Sequence, residues 1–308
     1  IREGLNITGY KLLLRSESKW GGQSKPQVTW DIYKLDKDAK VTWGHWDSTK
    51  NQWVNDSEYG LSSIKSYETT FGQDLDGDGK MGVSLEDLIF EPRDTNGERL
   101  GRDSAKALYI VNSKDELLDI KNASWLEYNN SWGWGSSESK KAIAVQADEK
   151  GTGYWLALER TSKWGENATS TTSYDIVKID TTGKVTWGYW DSTANKWVDE
   201  SQYNLSSLTA YEKIFKEDFN GDGFVGIDPK TLVWDTRDTT GVRLGRDKDK
   251  AIYVVTVAAD GITATDAVDI KGTSWLEYDS GWGYKREAVA VEEAEGGGYW
   301  LALKNTSN

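Results

Sequence analysis

Lys40-Val41-Thr42-Trp43-Gly44-His45-Trp46-Asp47-Ser48-Thr49 returns later as Lys184-Val185-Thr186-Trp187-Gly188-Tyr189-Trp190-Asp191-Ser192-Thr193. The same spacing separates Asp74-Leu75-Asp76-Gly77-Asp78-Gly79-Lys80-Met81-Gly82 from Asp218-Phe219-Asn220-Gly221-Asp222-Gly223-Phe224-Val225-Gly226, and residues 93–103 from 237–247. Past that point the second copy is longer, with the insertion expected in the loop 258–269, so that Ser124-Trp125-Leu126-Glu127-Tyr128 matches Ser274-Trp275-Leu276-Glu277-Tyr278. Gly153-Tyr154-Trp155-Leu156-Ala157-Leu158 reappears as Gly298-Tyr299-Trp300-Leu301-Ala302-Leu303, with Gly9-Tyr10-Lys11-Leu12-Leu13-Leu14 as its earlier partner. Self-similarity at a long, fixed period marks a tandem array. The chain starts partway through one unit and stops just after a third begins, as a segment of a longer array would.

Within a unit the patterning is mostly β. Tyr154, Leu156 and Leu158 alternate with Trp155 and Ala157, the period of two that puts successive side chains on opposite faces. Short strands are expected over 175–180, 184–191 and 196–198. The period then changes: Leu61, Ile64, Tyr67 and Phe71, and Leu205, Leu208, Tyr211, Ile214 and Phe215, recur at three and four, predicting a helix that leads into each Asp/Gly loop. After the loop comes a small antiparallel meander, with Asn96-Gly97 as its hairpin signal. The expected fold class is mainly β with one short helix per repeat, α+β units in a tandem array of antiparallel β modules. The expected divisions are 1–86 and 140–230 as Trp-rich modules with loops, the first lacking its first strand; 87–139 and 231–284 as β connectors; and 285–308 as the start of a third copy.

The Asp/Gly loops carry the chemistry. Asp74, Asp76 and Asp78, and Asp218, Asn220 and Asp222, stand at the first, third and fifth loop positions with Gly next. That is the front half of an EF-hand-type calcium loop, in which hard oxygen ligands wrap a cation and the Gly permits the sharp turn. Backbone carbonyls at Lys80 and Phe224 would add a ligand each. The twelfth position, normally a bidentate Glu, holds Leu85 or Pro229; Glu86, Asp87 and Asp228 are the acids near enough to close the site. The bland alternative is an Asp/Gly turn without metal.

Composition narrows the function classes. A net charge of −13 argues against a nucleic-acid partner. With no Cys and one His, thiol chemistry, nucleophile–His chemistry and zinc sites are excluded. His45 is replaced by Tyr189 in the second copy, which favours a structural role. No carboxylate pair stands out for glycoside hydrolysis, and the chain is read as a non-enzyme. No apolar run approaches the about 20 residues that span a bilayer. Trp43 and Trp46 are expected on opposite faces of one strand, with Gly44 leaving backbone open for a sugar ring. Lys11 at the position of Trp155 and Trp300 suggests an exposed or inter-module face. Trp46, Trp190, Trp155 and Trp300 are thus the candidate partner contacts. The arginines at 93, 99 and 102, and at 237, 243 and 246, interleave with Asp94 and Asp103 in the first copy and are read as an ion-paired hairpin.

Taken in order, Ala-Val-Ala-Val, Gly-Gly-Tyr-Trp, Tyr-Asp-Ile, Trp-Gly-x-Trp, an amphipathic helix and Asp-x-Asn-Gly-Asp-Gly resemble the tryptophan-rich repeat domain of cyanobacterial surface and secreted proteins. The resemblance is clearest over 140–226, covers 5–82 without a first strand, and restarts at 288–300. It implies a large extracellular protein with tandem copies and calcium in the loops, and brings no enzymatic activity. The expectation is a calcium-stabilised structural or adhesive repeat protein at the cell surface, a surface-layer or fibre subunit whose partners are neighbouring copies, with 287–291 of one chain adding a strand to the first module of the next. The alternative is a carbohydrate-binding module using Trp platforms on a polysaccharide.

Overall fold

The computed structural model describes the chain except residues 1, 4, 5, 8, 20–26, 49–51, 122, 192, 240, 260–262, 272–275, 280–282 and 308. The protein is mainly β, its strand pairs are antiparallel, and the two α-helices among the described residues, Lys65–Phe71 and Glu212–Phe215, are short. Three aromatic sheets alternate along the chain with two smaller connector sheets. The first aromatic sheet is built on Gly9–Ser18 and Gln27–Asp36. The second is built on Tyr128–Trp132, Ser136–Ala147, Gly153–Lys163 and Thr171–Asp180, and the third on Tyr284–Glu293 and Tyr299–Ser307. The connectors are four-stranded: Ile89–Phe90, Arg99–Arg102, Leu108–Val111 and Leu117–Asp119, then Val233–Trp234, Arg243–Arg246, Ile252–Val257 and Ala264–Asp269. The extra residues of the second copy lengthen the hairpin that closes its connector.

One inner strand of each connector, Leu108–Val111 in the first and residues 252–255 in the second, is buried on both faces. In Leu108-Tyr109-Ile110-Val111 every residue is buried. Leu108 and Ile110 point forward onto Val145, Leu156, Leu158, Val177 and Ile179 of the second aromatic sheet. Tyr109 and Val111 point back toward Val83, Leu85 and Leu88, which follow the first loop. The second connector repeats this, with Ile252 and Val254 on Ala288 and Val291, and Tyr253 and Val255 on Ala210 and Ile227. A strand covered on both sides reads as a continuous apolar run, and each Leu or Ile fully withdrawn from water contributes about 1.5–3 kcal/mol. The far face of the second aromatic sheet, through Ile143, Ala144, Ala157 and Ile176, takes Leu205, Leu208, Tyr211 and Phe215. The layer order is therefore sheet, helix, connector, sheet. In the first aromatic sheet the matching leucines differ: Leu12 and Leu14 are 42% and 43% exposed, where Leu156 and Leu158 are fully buried.

Close approach between layers explains one glycine. A Cβ on Gly183, at φ 85°, would lie 2.0 Å from the Asp119 carbonyl oxygen, beside the hydrogen bond that Lys121 N–H donates to the Gly183 carbonyl.

Two expectations change on folding. The expected strand 184–191 divides into Val185–Thr186, in the large sheet, and Gly188–Asp191, which pairs only with Lys196–Asp199. The cause is a buried serine: Ser201 Oγ accepts from Lys178 N and donates to the Thr186 carbonyl, so a hydroxyl takes over the ladder there. Ser57 does the same between Lys34 and Thr42. Trp43 accordingly sits at a break, and the opposite-face argument for Trp43 and Trp46 does not run through it. The helices are also shorter than the three–four periodicity predicts. Leu61 and Leu205 end strands Glu58–Leu61 and Gln202–Leu205, and the helical turn starts only after Ser63 and Ser207 accept from the N–H of Lys65 and Thr209. Left-handed Gly60 and Asn204 swing both leucines into the core that the helices also enter.

Residues 287–291 lie in a strand paired with Tyr299–Ser307 of the same chain and packed on its own connector. Gly9–Ser18 pairs with Gln27–Asp36.

Asp94 pins the turn of the first connector. Its Oδ2 accepts from Leu100 N at 2.6 Å while Oδ1 is buried without a partner. Burial pushes its pKa up to about 7, against the pull of backbone hydrogen bonds from Leu100 and Val145. A carboxyl with a raised folded pKa stabilises fully below its unfolded pKa, and that contribution is lost as pH rises through the folded one. The melting temperature of the wild type relative to Asp94→Asn is therefore expected to fall between about pH 4 and pH 7. Parallel curves for the two proteins across that window would contradict the assignment.

Candidate metal loops and the aromatic surface

Both loops are wound on a buried glutamate from the helix before them. Glu68, fully buried, accepts from Leu75 N (2.8 Å) and Asp76 N (3.2 Å) on Oε1 and from Gly82 N (2.8 Å) on Oε2. Glu212 repeats this with Phe219 N, Asn220 N and Gly226 N at 3.0, 3.1 and 2.9 Å; burial raises its pKa, and these amides counter the rise. The sequence singled out neither glutamate. The signal was present: a Glu six residues ahead of the first loop Asp in both copies, hidden on a helix read only for its apolar face.

Inside the loops the aspartates organise backbone. Asp74 accepts from Gly77 N and Gly79 N, Asp76 from Asp78 N, and Asp78 from Lys80 N. Asp218, Asn220 and Asp222 do likewise with Gly221, Gly223, Asp222 and Phe224. The alternating oxygens are thus gathered as a cation loop requires, and Glu68, Asp74 and Asp76 bring carboxylate oxygens within 4.8 Å of one another. Of the acids considered for closing the site, Asp87 accepts from Ser84 N and pairs with Lys80, which hold its pKa well below the usual carboxylate range. Asp228 caps the turn Pro229–Thr231 through Lys230 N, and Glu86 is exposed.

The loops differ in one respect. In the first, the Lys65 ammonium, 5% exposed, is paired with Asp76 Oδ2 at 3.2 Å and hydrogen-bonded to Asp78 Oδ2. Burial works against its charge, but the bonds to Asp78 and Asp76 prevail and raise its pKa. The corresponding residue of the second loop is Thr209, whose Oγ accepts from Asn220 Nδ2 at 3.2 Å. No ion pair reaches Asp218 or Asp222 among the described residues. The first loop therefore does not fit a metal at Asp76 and Asp78; in the second, Lys248 donates to the Asn220 carbonyl and Asn220 Nδ2 to Asp222 Oδ2 at 3.1 Å, and the carboxylates of Asp218 and Asp222 meet no ammonium among the described residues.

Among the described residues the arginines pair with acids other than Asp94 and Asp103: Arg93 and Arg102 with Glu91, Glu159 and Glu127, Arg99 with Asp115, and Arg237 and Arg246 with Asp235, Glu287 and Glu277. Arg102 binds Glu127 (2.5 Å) and Glu91 (3.1 Å), and also donates to the Ala142 carbonyl, while Ala142 N donates to Glu127. Ala142 sits at the register shift of its strand, so the clamp satisfies the peptide groups that a bulge leaves without ladder partners. Arg246, Glu277 and Asp235 do the same at Ala288, next to the shift in the third sheet. Arg102 is mostly buried and Glu91 almost fully so. Removing one member of such a set costs about 3 kcal/mol or more. Arg102→Ala is expected to lower unfolding free energy by about that amount in urea titration, and a loss within the range of surface pairs, under about 1 kcal/mol, would rule the clamp out.

The aromatic positions separate. Trp46 is 57% and Trp300 72% exposed. Trp155 is instead half-buried against the helix-side core with the Lys178 ammonium 4.4 Å above its ring, so its exchange for Lys does not signal an exposed face. The strand carrying Trp190 is described, but its side chain lies outside the described residues. Gly44 is not open to a ligand: a Cβ there would lie 2.7 Å from the Trp53 indole, and one on Gly188 2.9 Å from that of Trp197. Each glycine makes room for the tryptophan across its hairpin. Trp43, Trp53, Trp187 and Trp197 remain more than half exposed. His45 is exposed and lies 3.4 Å from Asp56.

No family model, curated protein or solved structure matches the chain. No helix among the described residues is long and apolar enough to cross a membrane.

Proposed function

We propose that the chain is an extracellular structural or adhesive repeat protein whose modules are fastened by calcium, a surface-layer or fibre component rather than an enzyme. The observation that carries this reading is the position of the loops. Each lies where the chain passes from a helix on one sheet to a connector whose inner strand is buried on both faces. A cation there would neutralise the gathered oxygens and tie two layers together. The acidic surface, the repetition of whole units and the resemblance to tryptophan-rich surface repeats support the same reading, with neighbouring copies as partners. Because residues 287–291 are paired within their own chain, contact between copies draws on other surfaces. Chelation is expected to lower the melting temperature, and Asp222→Ala to remove that sensitivity. A wild type that melts identically with calcium and with chelator would end the calcium reading.

The exposed hairpin tryptophans favour a second reading, a carbohydrate-binding module. Exposed indoles offer flat apolar faces, and patches of this kind mark ligand or partner contacts. Polysaccharide titration should then quench tryptophan fluorescence, and a Trp46→Ala, Trp197→Ala double variant should lose most of the response. Equal quenching in both proteins would exclude the hairpins as the platform.

A further inference from the structure

The two loops share a backbone and differ in a matched pair of side chains. Where the first has Lys65 and Asp76, the second has Thr209 and Asn220, and in each loop the two members touch: an ion pair at 3.2 Å in one, an amide-to-hydroxyl hydrogen bond at 3.2 Å in the other. One anion and one cation have been exchanged together for two neutral groups, so Lys65, Asp74, Asp76 and Asp78 carry the same formal charge as Thr209, Asp218, Asn220 and Asp222; Lys80 adds a further positive charge to the first loop, where the second has Phe224.

Burial gives the direction of this exchange. An ammonium 5% exposed is costly to desolvate unless carboxylates surround it, and Lys65 spends its charge on Asp76 and Asp78, two of the three side chains a calcium ion would use. In the second loop Lys248 reaches the backbone carbonyl of Asn220, and among the described residues no ammonium is paired with the carboxylates of Asp218 or Asp222. We infer that Lys65 is the resident cation of the first loop, standing where a metal would, and that the second loop alone is left to take calcium. This deepens the calcium reading and rests on it for the second loop only.

The test is calorimetric titration of the demetallated chain with calcium, paired with melting curves in chelator. The wild type is expected to bind one ion. Lys65→Thr should gain a second, melt several degrees lower than wild type in chelator, and recover that loss when calcium is added. A wild type that binds two ions of similar affinity overturns the inference, as does a Lys65→Thr chain that melts like wild type in chelator or is not rescued by calcium. Lys65→Arg, which keeps the charge, should bind as the wild type does; a second ion in that variant also counts against it. A wild type that binds no ion withdraws calcium from the second loop, and the rescue of Lys65→Thr still decides the role of Lys65.

Discussion

The constraint on which the architecture depends is that the inner strand of each connector must be covered on both faces. Leu108 and Ile110 cannot be buried without the sheet that follows, nor Tyr109 and Val111 without Val83, Leu85 and Leu88 after the preceding loop. A connector alone would leave one apolar face in water whichever way it docked. The connectors and the sheets therefore complete one another in sequence order.

Those junctions also hold the buried charge. Arg102 and Arg246 bridge connector to sheet at the point where the sheet's ladder is interrupted, each satisfying one carbonyl directly and one amide through its glutamate. An apolar contact would accept small slips between layers. A guanidinium fixed by acids on both sides, and bonded to the backbone of the next layer, does not. Apolar faces supply the attraction and the clamps supply the register.

Much of this was legible in the sequence, for identifiable reasons. Alternation in 153–158 and the return of that segment gave the sheets, because a period of two leaves few other options for a run that short. The helices were overextended because Leu61 and Leu205 fit the three–four pattern while belonging to strands, a consequence of single left-handed residues at Gly60 and Asn204 that periodicity does not see. The strand break at Trp43 and Trp187 depends on Ser57 and Ser201, remote serines that reach the ladder only after folding. The front halves of the loops were readable as a local pattern. Glu68 and Glu212 were not, since their importance lies in three backbone amides to which they are connected only through the fold. The arginines were visible, but their partners Glu91 and Glu127 come from outside the hairpin.

The loops separate two properties that an EF-hand combines. In that motif the closing glutamate binds the metal, so shape and cation arrive together. Here Glu68 and Glu212 bind the loop's own amides, and the aspartates accept from the glycines that follow them, so the curve is specified by backbone hydrogen bonds present in both copies. A cation bound there would neutralise oxygens that are already in place. In the first copy Lys65 brings positive charge to them, and in the second Asn220 stands where the first has Asp76 and removes one acid. Thr209 and Asn220 against Lys65 and Asp76 is the pattern expected when the shape is held by the backbone and only the charge remains to be settled.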